Sequence, residues 1–150
     1  MIKVLMICHG NICRSTMAQS ILQHMVNERG VASQFYIESA ATSREEIGNG
    51  PHYGTVAELR KQNIPLVSHR AVQMTRKDYD KYDYLIGMDS ANIRNINRIA
   101  GGDPEGKIYK MMTFTGLGDD VDDPWYTGDF SGVFRQLDAA CRGFLKQLGY

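Results

Sequence analysis

Cysteine, proline and tryptophan are scarce in this chain, at three, four and one among 150 residues. An odd, small set of cysteines cannot supply the paired disulfide framework of a small secreted domain. It points instead to a reducing setting, and cytoplasmic is the expected location. No sign of charge is in excess, because Lys+Arg and Asp+Glu both total 17. No global field therefore draws the chain to nucleic acid or to an anionic membrane. Long hydrophobic runs are also missing: the first, Val4 to Ile7, is too short for a signal-peptide core and far too short for a membrane span. There is no internal repeat, low-complexity tract or linker. What remains is 43% hydrophobic and 23% charged, a composition suited to one globular domain over residues 1–150 with a real core.

Apolar runs and amphipathic segments alternate along the chain. "IKVLMI" (2–7) is a continuous Ile/Val-rich run, as expected of a strand buried on both faces. From Arg14 to about Arg29, Met17, Ala18, Ile21, Leu22, Met25 and Val26 recur at helical spacing, and Gly30 follows as a stop. "FYIESA" (35–40) reads as a second strand. Residues 51–63 read as a helix with Pro51 near its start and Val56 and Leu59 facing inward. "YDYLIGM" (82–88) and "KIYKMM" (107–112) are further strands, with a helix over 90–100 between them. A loop over 113–130 leads to a last helix through Val133, Leu137, Ala140, Cys141, Phe144, Leu145 and Leu148. This alternation predicts an α/β fold, a four-stranded parallel sheet with helices on both faces. Ligands of such sheets bind beyond the carboxyl ends of the strands. Cys8 stands there, and the loop after the fourth strand opens on the same edge.

Between the first strand and the first helix lies Cys8-His9-Gly10-Asn11-Ile12-Cys13-Arg14-Ser15. A metal site is a poor reading of it. Cys8 and Cys13 have no second ligand pair at the usual spacing, and the histidines at 9, 24, 52 and 69 are scattered. Cysteines also serve as small core hydrophobes, which suits Cys141 in its apolar stripe. Around Cys8, however, Gly10, Asn11 and Arg14 would then be without purpose. An anion cradle uses them all. Successive backbone N–H groups turn inward, the helix N-terminus adds positive charge, and Gly10 permits a tight backbone angle. Arg14 can grip two phosphate oxygens. A cysteine in that field reacts as its thiolate, and Ser15 can donate a hydrogen bond to the sulfur. Cleaving a phosphate ester also needs an acid for the departing oxygen. Asp123, with Pro124 stiffening the chain behind it, is the candidate. "DDVDDP" alone reads equally as a solvated acidic loop; Trp125 and Tyr126, suited to walling a phenyl ring, favour the acid. Asp122 would raise the pKa of Asp123 by like-charge repulsion. Asp89 reads as a cap for the third helix rather than a catalytic group.

"VLMICHGNICRST" resembles the signature of the low-molecular-weight protein tyrosine phosphatases. The likeness continues through "ESAAT", "SHRA", "YDYLIGMDSANIRNI" and "DDPWY", over essentially the whole chain. It implies a four-stranded parallel sheet with a phosphatase-type phosphate loop after the first strand. Hydrolysis of phosphotyrosine and small aryl phosphates would run through a cysteinyl-phosphate intermediate, without metal or cofactor. By this resemblance Cys8 is the nucleophile, Arg14 binds phosphate and Asp123 is the general acid. The phosphate loop is Cys8, His9, Gly10, Asn11, Ile12, Cys13 and Arg14, and Asn11, Ser15, Ser39 and His69 form its hydrogen-bonded support. Expected partners are a phosphotyrosine-containing protein substrate and a cognate tyrosine kinase, the chain itself being a monomer or weak homodimer.

Four positions depart from the family pattern. Thr16 stands where proline often follows the signature serine, and His9 where an apolar residue is common. Glu45 and Glu46 stand near the usual aromatic wall, making Glu45 part of the pocket wall and giving a rim that repels acidic phosphopeptides. "GNGPHYG" has the wrong context and spacing for a nucleotide loop. Two other functions compete. An arsenate reductase on this scaffold needs relay thiols, and none lies in residues 80–90. An adaptor that merely binds oxyanions would lack the nucleophile or the acid. Cys13 also offers a reversible disulfide with Cys8 against over-oxidation, or plain loop packing.

Overall fold

The computed structural model describes residues 1–150. Strand β1 (Ile2–Cys8) leads through the cysteine loop into helix α1 (Arg14–Glu28), then β2 (Phe35–Ala41) and α2 (Tyr53–Lys61). Helix α3 (Arg76–Lys81), β3 (Tyr84–Gly87), α4 (Ser90–Ala100), β4 (Ile108–Lys110), the short α5 (Pro124–Thr127) and α6 (Phe130–Gln147) complete the order. The four strands form an all-parallel sheet in the order β2-β1-β3-β4. The chain steps outward from β1 to β2, then returns across β1 to β3. The carboxyl end of β1 is therefore the point where strand order reverses, the usual ligand position of such sheets. No helix is long and apolar enough to cross a membrane.

Strand parity decides where Cys8 goes. Val4, Met6 and Cys8 belong to the larger apolar cluster, shared with Met17, Ile21 and Leu22 of α1 and Leu137, Cys141 and Phe144 of α6. Leu5 and Ile7 belong to the smaller cluster with Tyr79 of α3 and Ile96 of α4. Each fully buried aliphatic side chain contributes about 1.5–3 kcal/mol, so this register is strongly held. A slip of one residue would move Cys8 to the other face.

Several boundaries differ from the sequence-based expectation. The second helix spans Tyr53–Lys61 and is capped by His52, whose side chain accepts from the Gly54 N–H. It packs through Gly54, Thr55, Glu58 and Leu59, leaving Val56 half-buried rather than inward. A Cβ on Gly54 would meet the Phe130 ring at 2.4 Å, so the last glycine of "GNGPHYG" is there for close packing. The fourth strand is only Ile108–Lys110, because Met111–Thr115 coils into a 3₁₀ turn that buries Met111, Met112 and Phe114 against the core. Helix α3 was not expected. It is short and charged and buries only Tyr79, but Thr75 and Asp78 form a capping box at its start.

Candidate active site

The loop after β1 curls around the Cys8 sulfur. The Asn11 N–H points at Cys8 Sγ from 3.3 Å, and Ser15 Oγ lies 3.0 Å from the same atom. The N–H groups of Gly10, Ile12, Cys13 and Arg14 donate to no acceptor in the protein. Donors left free at a helix start form a nest for an anion. The left-handed residue of the turn is Asn11, with φ of 60°, and not Gly10. Asparagine tolerates that conformation, and here it does a second job. A Cβ on Gly10 would make only ordinary contact, 3.4 Å from Glu46 Cγ.

Asn11 is fully buried with all four side-chain hydrogen-bonding positions filled. Its Oδ1 accepts from His69 Nε2 at 2.7 Å and from the Val72 N–H at 3.2 Å. Its Nδ2 donates to Ser15 Oγ at 2.8 Å and Ser39 Oγ at 2.9 Å, and Ser39 in turn donates to Gln19. These roles fix the direction of the chain of bonds. Ser15 Oγ accepts from Asn11, so its O–H is directed to the Cys8 sulfur. His69 must carry its proton on Nε2. Burial lowers the His69 pKa, outweighing the opposing pull of Glu38 4.0 Å away, which keeps the ring neutral.

Arg14 is almost wholly buried, and its guanidinium is divided between two tasks. One terminal nitrogen donates to Asp89 Oδ2 at 2.8 Å and to the Val121 carbonyl at 3.0 Å. The other lies 3.5 Å from Asp123 Oδ2. Burial opposes the guanidinium charge, but Cys8, Asp89 and Asp123 outweigh it and hold its pKa above the ordinary value. The Nε–H donates to no protein acceptor, leaving one edge of the fork for an oxyanion. Asp89 caps α4 through Asn92, as expected, and also orients Arg14. That second role has no local signal, since the two residues lie 75 positions apart. Thr16 uses its hydroxyl to satisfy the Cys13 carbonyl at 3.0 Å.

The remaining candidates surround a cleft of about 240 Å³ lined by Cys8, His9, Gly10, Ile12, Cys13, Arg14, Glu45, Glu46, Asp123, Trp125 and Tyr126. Asp123 caps α5 by accepting from the Trp125 N–H at 3.0 Å. Asp122 faces Gln136 of α6 rather than its neighbour. Trp125 and Tyr126 stand at the mouth, 60% and 84% exposed. The Trp125 ring meets His52 edge-on, and His52 stacks on Phe130. At the opposite rim His9 Nε2 meets Glu45 Oε2 at 2.9 Å, and Asn49 holds Glu46. Burial, then Cys8 and Asp123, push the Cys13 thiol up to about 12, making it a slow partner for any disulfide with Cys8. Cys141 is sealed inside α6 with its thiol toward the Ala18 carbonyl.

Comparisons with known proteins identify the family. The sequence model described as low molecular weight phosphotyrosine protein phosphatase matches residues 3–150. The chain is 38% identical over 142 residues to the low molecular weight protein-tyrosine-phosphatase PtpA of Staphylococcus epidermidis, covering 94% of this chain and 90% of that one. It is 32% identical over 160 residues to the human low molecular weight phosphotyrosine protein phosphatase, covering 96% and 94%. The crystal structure of YfkJ from Bacillus subtilis superposes with a TM-score of 0.95 at 35% identity, covering 99% of this chain and 95% of that one. With a family match over nearly every residue and a cysteine cradle at the sheet's switch point, this chain belongs to the low molecular weight phosphotyrosine protein phosphatases.

Proposed function

We propose that residues 1–150 form one catalytic domain that hydrolyses phosphotyrosine in proteins, and small aryl phosphates, through a phosphocysteine intermediate. One observation carries the reading. The Cys8 sulfur, the free edge of Arg14, the Asp123 carboxyl and a row of unpaired backbone N–H groups all face one cleft. The phosphoryl group lies in the nest, its oxygens held by the loop N–H groups and Arg14. The Cys8 thiolate attacks phosphorus opposite the aryl oxygen. As the P–O bond breaks, Asp123 gives that oxygen its proton, so the phenol leaves neutral. Asp123, now a carboxylate, takes a proton from the water that attacks phosphocysteine. Inorganic phosphate and the thiolate are released, the latter stabilised by the Ser15 O–H and the Asn11 N–H. Ile12, Trp125 and Tyr126 supply the apolar surface for the phenyl ring, and Asp89 holds Arg14 in register.

The arsenate-reductase alternative requires a relay of reactive thiols. Cys141 is sealed in the core and Cys13 is held protonated, which favours the phosphatase. The fitting substrate is a phosphotyrosyl protein, and a cognate tyrosine kinase would supply it. The test is hydrolysis of 4-nitrophenyl phosphate from pH 4 to 8 with chelator present. Cys8→Ser is expected to abolish turnover and Asp123→Asn to lower it about 10²-fold. No turnover by folded, reduced wild type, or turnover retained in Cys8→Ser, would overturn the reading.

A further inference from the structure

Residues 116–123 form no helix or strand, so the shape of this segment depends on bonds to its surroundings. Met88, Arg14 and Gln136 hold Val121 and Asp122. The stretch before them is held by Ser90 and by Lys110, the last residue of β4, whose side chain is 22% exposed. Its ammonium donates to Asp120 Oδ1 at 2.6 Å, the Gly118 carbonyl at 2.9 Å and Ser90 Oγ at 3.1 Å. All three of its hydrogens are thereby used. Asp120 also accepts from the Ser90 N–H at 3.1 Å, at the start of α4. The Lys110 hydrogen bond, followed by those of Ser90, holds the Asp120 carboxyl below the usual carboxylate range.

This cluster sits at a junction. Ser90 follows Asp89, which grips Arg14. Asp120 precedes Val121, whose N–H donates to the Met88 carbonyl at 2.8 Å and whose own carbonyl accepts from Arg14. Three residues beyond Asp120 comes Asp123. An ordinary exposed ion pair contributes little. Lys110 differs because it binds two points of a loop and one helix start at once.

We infer that Lys110, with Asp120 as its counter-charge, is a positioning residue for the general acid, clamping the 116–123 segment so that Asp123 stays in reach of the leaving oxygen. The inference rests on the reading of Asp123 as the acid. Misplacing a catalytic group by about 1 Å can cost roughly 10²-fold, so a loosened clamp reduces proton donation without touching the nucleophile. Phenolate, the poorer leaving group, depends on that proton more steeply than 4-nitrophenolate does. The leaving group therefore separates positioning of the acid from general damage.

The experiment compares kcat/KM for phenyl phosphate and 4-nitrophenyl phosphate in wild type, Lys110→Met, Lys110→Arg and Asp120→Asn, with thermal melts alongside. Lys110→Met and Asp120→Asn are each expected to lose about tenfold on phenyl phosphate and less than about threefold on 4-nitrophenyl phosphate. The double variant should be no worse than the poorer single one, and Lys110→Arg should restore the wild-type ratio. An unchanged ratio, or equal losses on both substrates, overturns the inference. Should Lys110→Met fail to fold, the ratio in the near-isosteric Asp120→Asn decides. Wild type inert on both substrates would instead overturn the phosphatase reading, and the clamp with it.

Discussion

The cleft is made of two halves built by different physics. On the Cys8 side, Asn11, Ser15 and Ser39 are all buried and joined through directed hydrogen bonds, with the strand and helix on either side locked in the core. On the Asp123 side, Asp123, Trp125 and Tyr126 ride on a partly exposed loop and one short helix, tied down by pairs of contacts to Arg14, Gln136 and Lys110. A loop that must present unpaired N–H groups to an anion cannot also use them for its own stability. The side chains of Asn11 and Ser15 take over that task from the inside. The acid half has no such constraint, and an open wall gives a protein-borne phenyl phosphate a way in.

If this contrast is right, substitutions within the buried network should cost most. Asn11→Ala strands the partners of four hydrogen bonds and puts alanine at a left-handed position. We expect about 3–5 kcal/mol lost in urea unfolding and roughly 10²-fold in kcat/KM. A loss below about 1 kcal/mol would show that the network is not what holds the loop. Next comes the bridge between the halves. Asp89→Asn keeps the helix cap but removes the charge beside Arg14, and about tenfold should be lost in kcat/KM together with weaker inhibition by inorganic phosphate. Unaltered phosphate inhibition would mean that the Val121 carbonyl alone positions the guanidinium.

Acidity offers a third probe. The folded-state pKa of His69 lies below its ordinary value of 6.5, so the unfolded chain takes up this proton first as pH falls. Stability is full above about 6.5 and declines as pH drops from there through the lowered folded pKa. The lowered carboxyls of Glu58, Asp103 and Asp120 act in a separate window, below their ordinary values of 4.5, 3.8 and 3.8. Urea midpoints should therefore fall between pH 6.5 and 5.5 in wild type and stay flat there in His69→Gln. An equal slope in both proteins would remove His69 from the account. The smallest effect belongs to the exposed rim. Wild type should prefer lysine-flanked over glutamate-flanked phosphotyrosyl peptides by about two- to fivefold, through Glu45 and Glu46. The preference should reverse in Glu45→Lys/Glu46→Lys and fade near 1 M salt, where the Debye length is about 3 Å. A preference that salt does not weaken would point to shape rather than charge.

Legibility in the sequence followed the same division. The strands and long helices showed themselves through apolar periodicity, because they bury whole faces. Helix α3 was missed because its six residues bury one side chain; the Thr75/Asp78 capping box was the available signal. The last part of the expected fourth strand failed because Met111 and Met112 reach the core from a 3₁₀ turn as well as a strand would. Within the loop, the residue types read as an anion cradle, but the strained angle was assigned to Gly10 when Asn11 carries it. Glycine is the usual choice for a left-handed turn, and only the packed surroundings reveal that a side chain with four partners was worth the conformational cost.

The sequence by itself determined the α/β alternation and the chemistry concentrated between residues 8 and 15, since both are properties of neighbours along the chain. Tertiary structure alone decided that Asp89 and the Val121 carbonyl share one guanidinium nitrogen of Arg14, and that Lys110 fastens the loop bearing Asp123. Hydrogen bonds and ion pairs act over about 3 Å whatever the distance along the chain, and it is the strand order, folding back across β1, that brings these residues together.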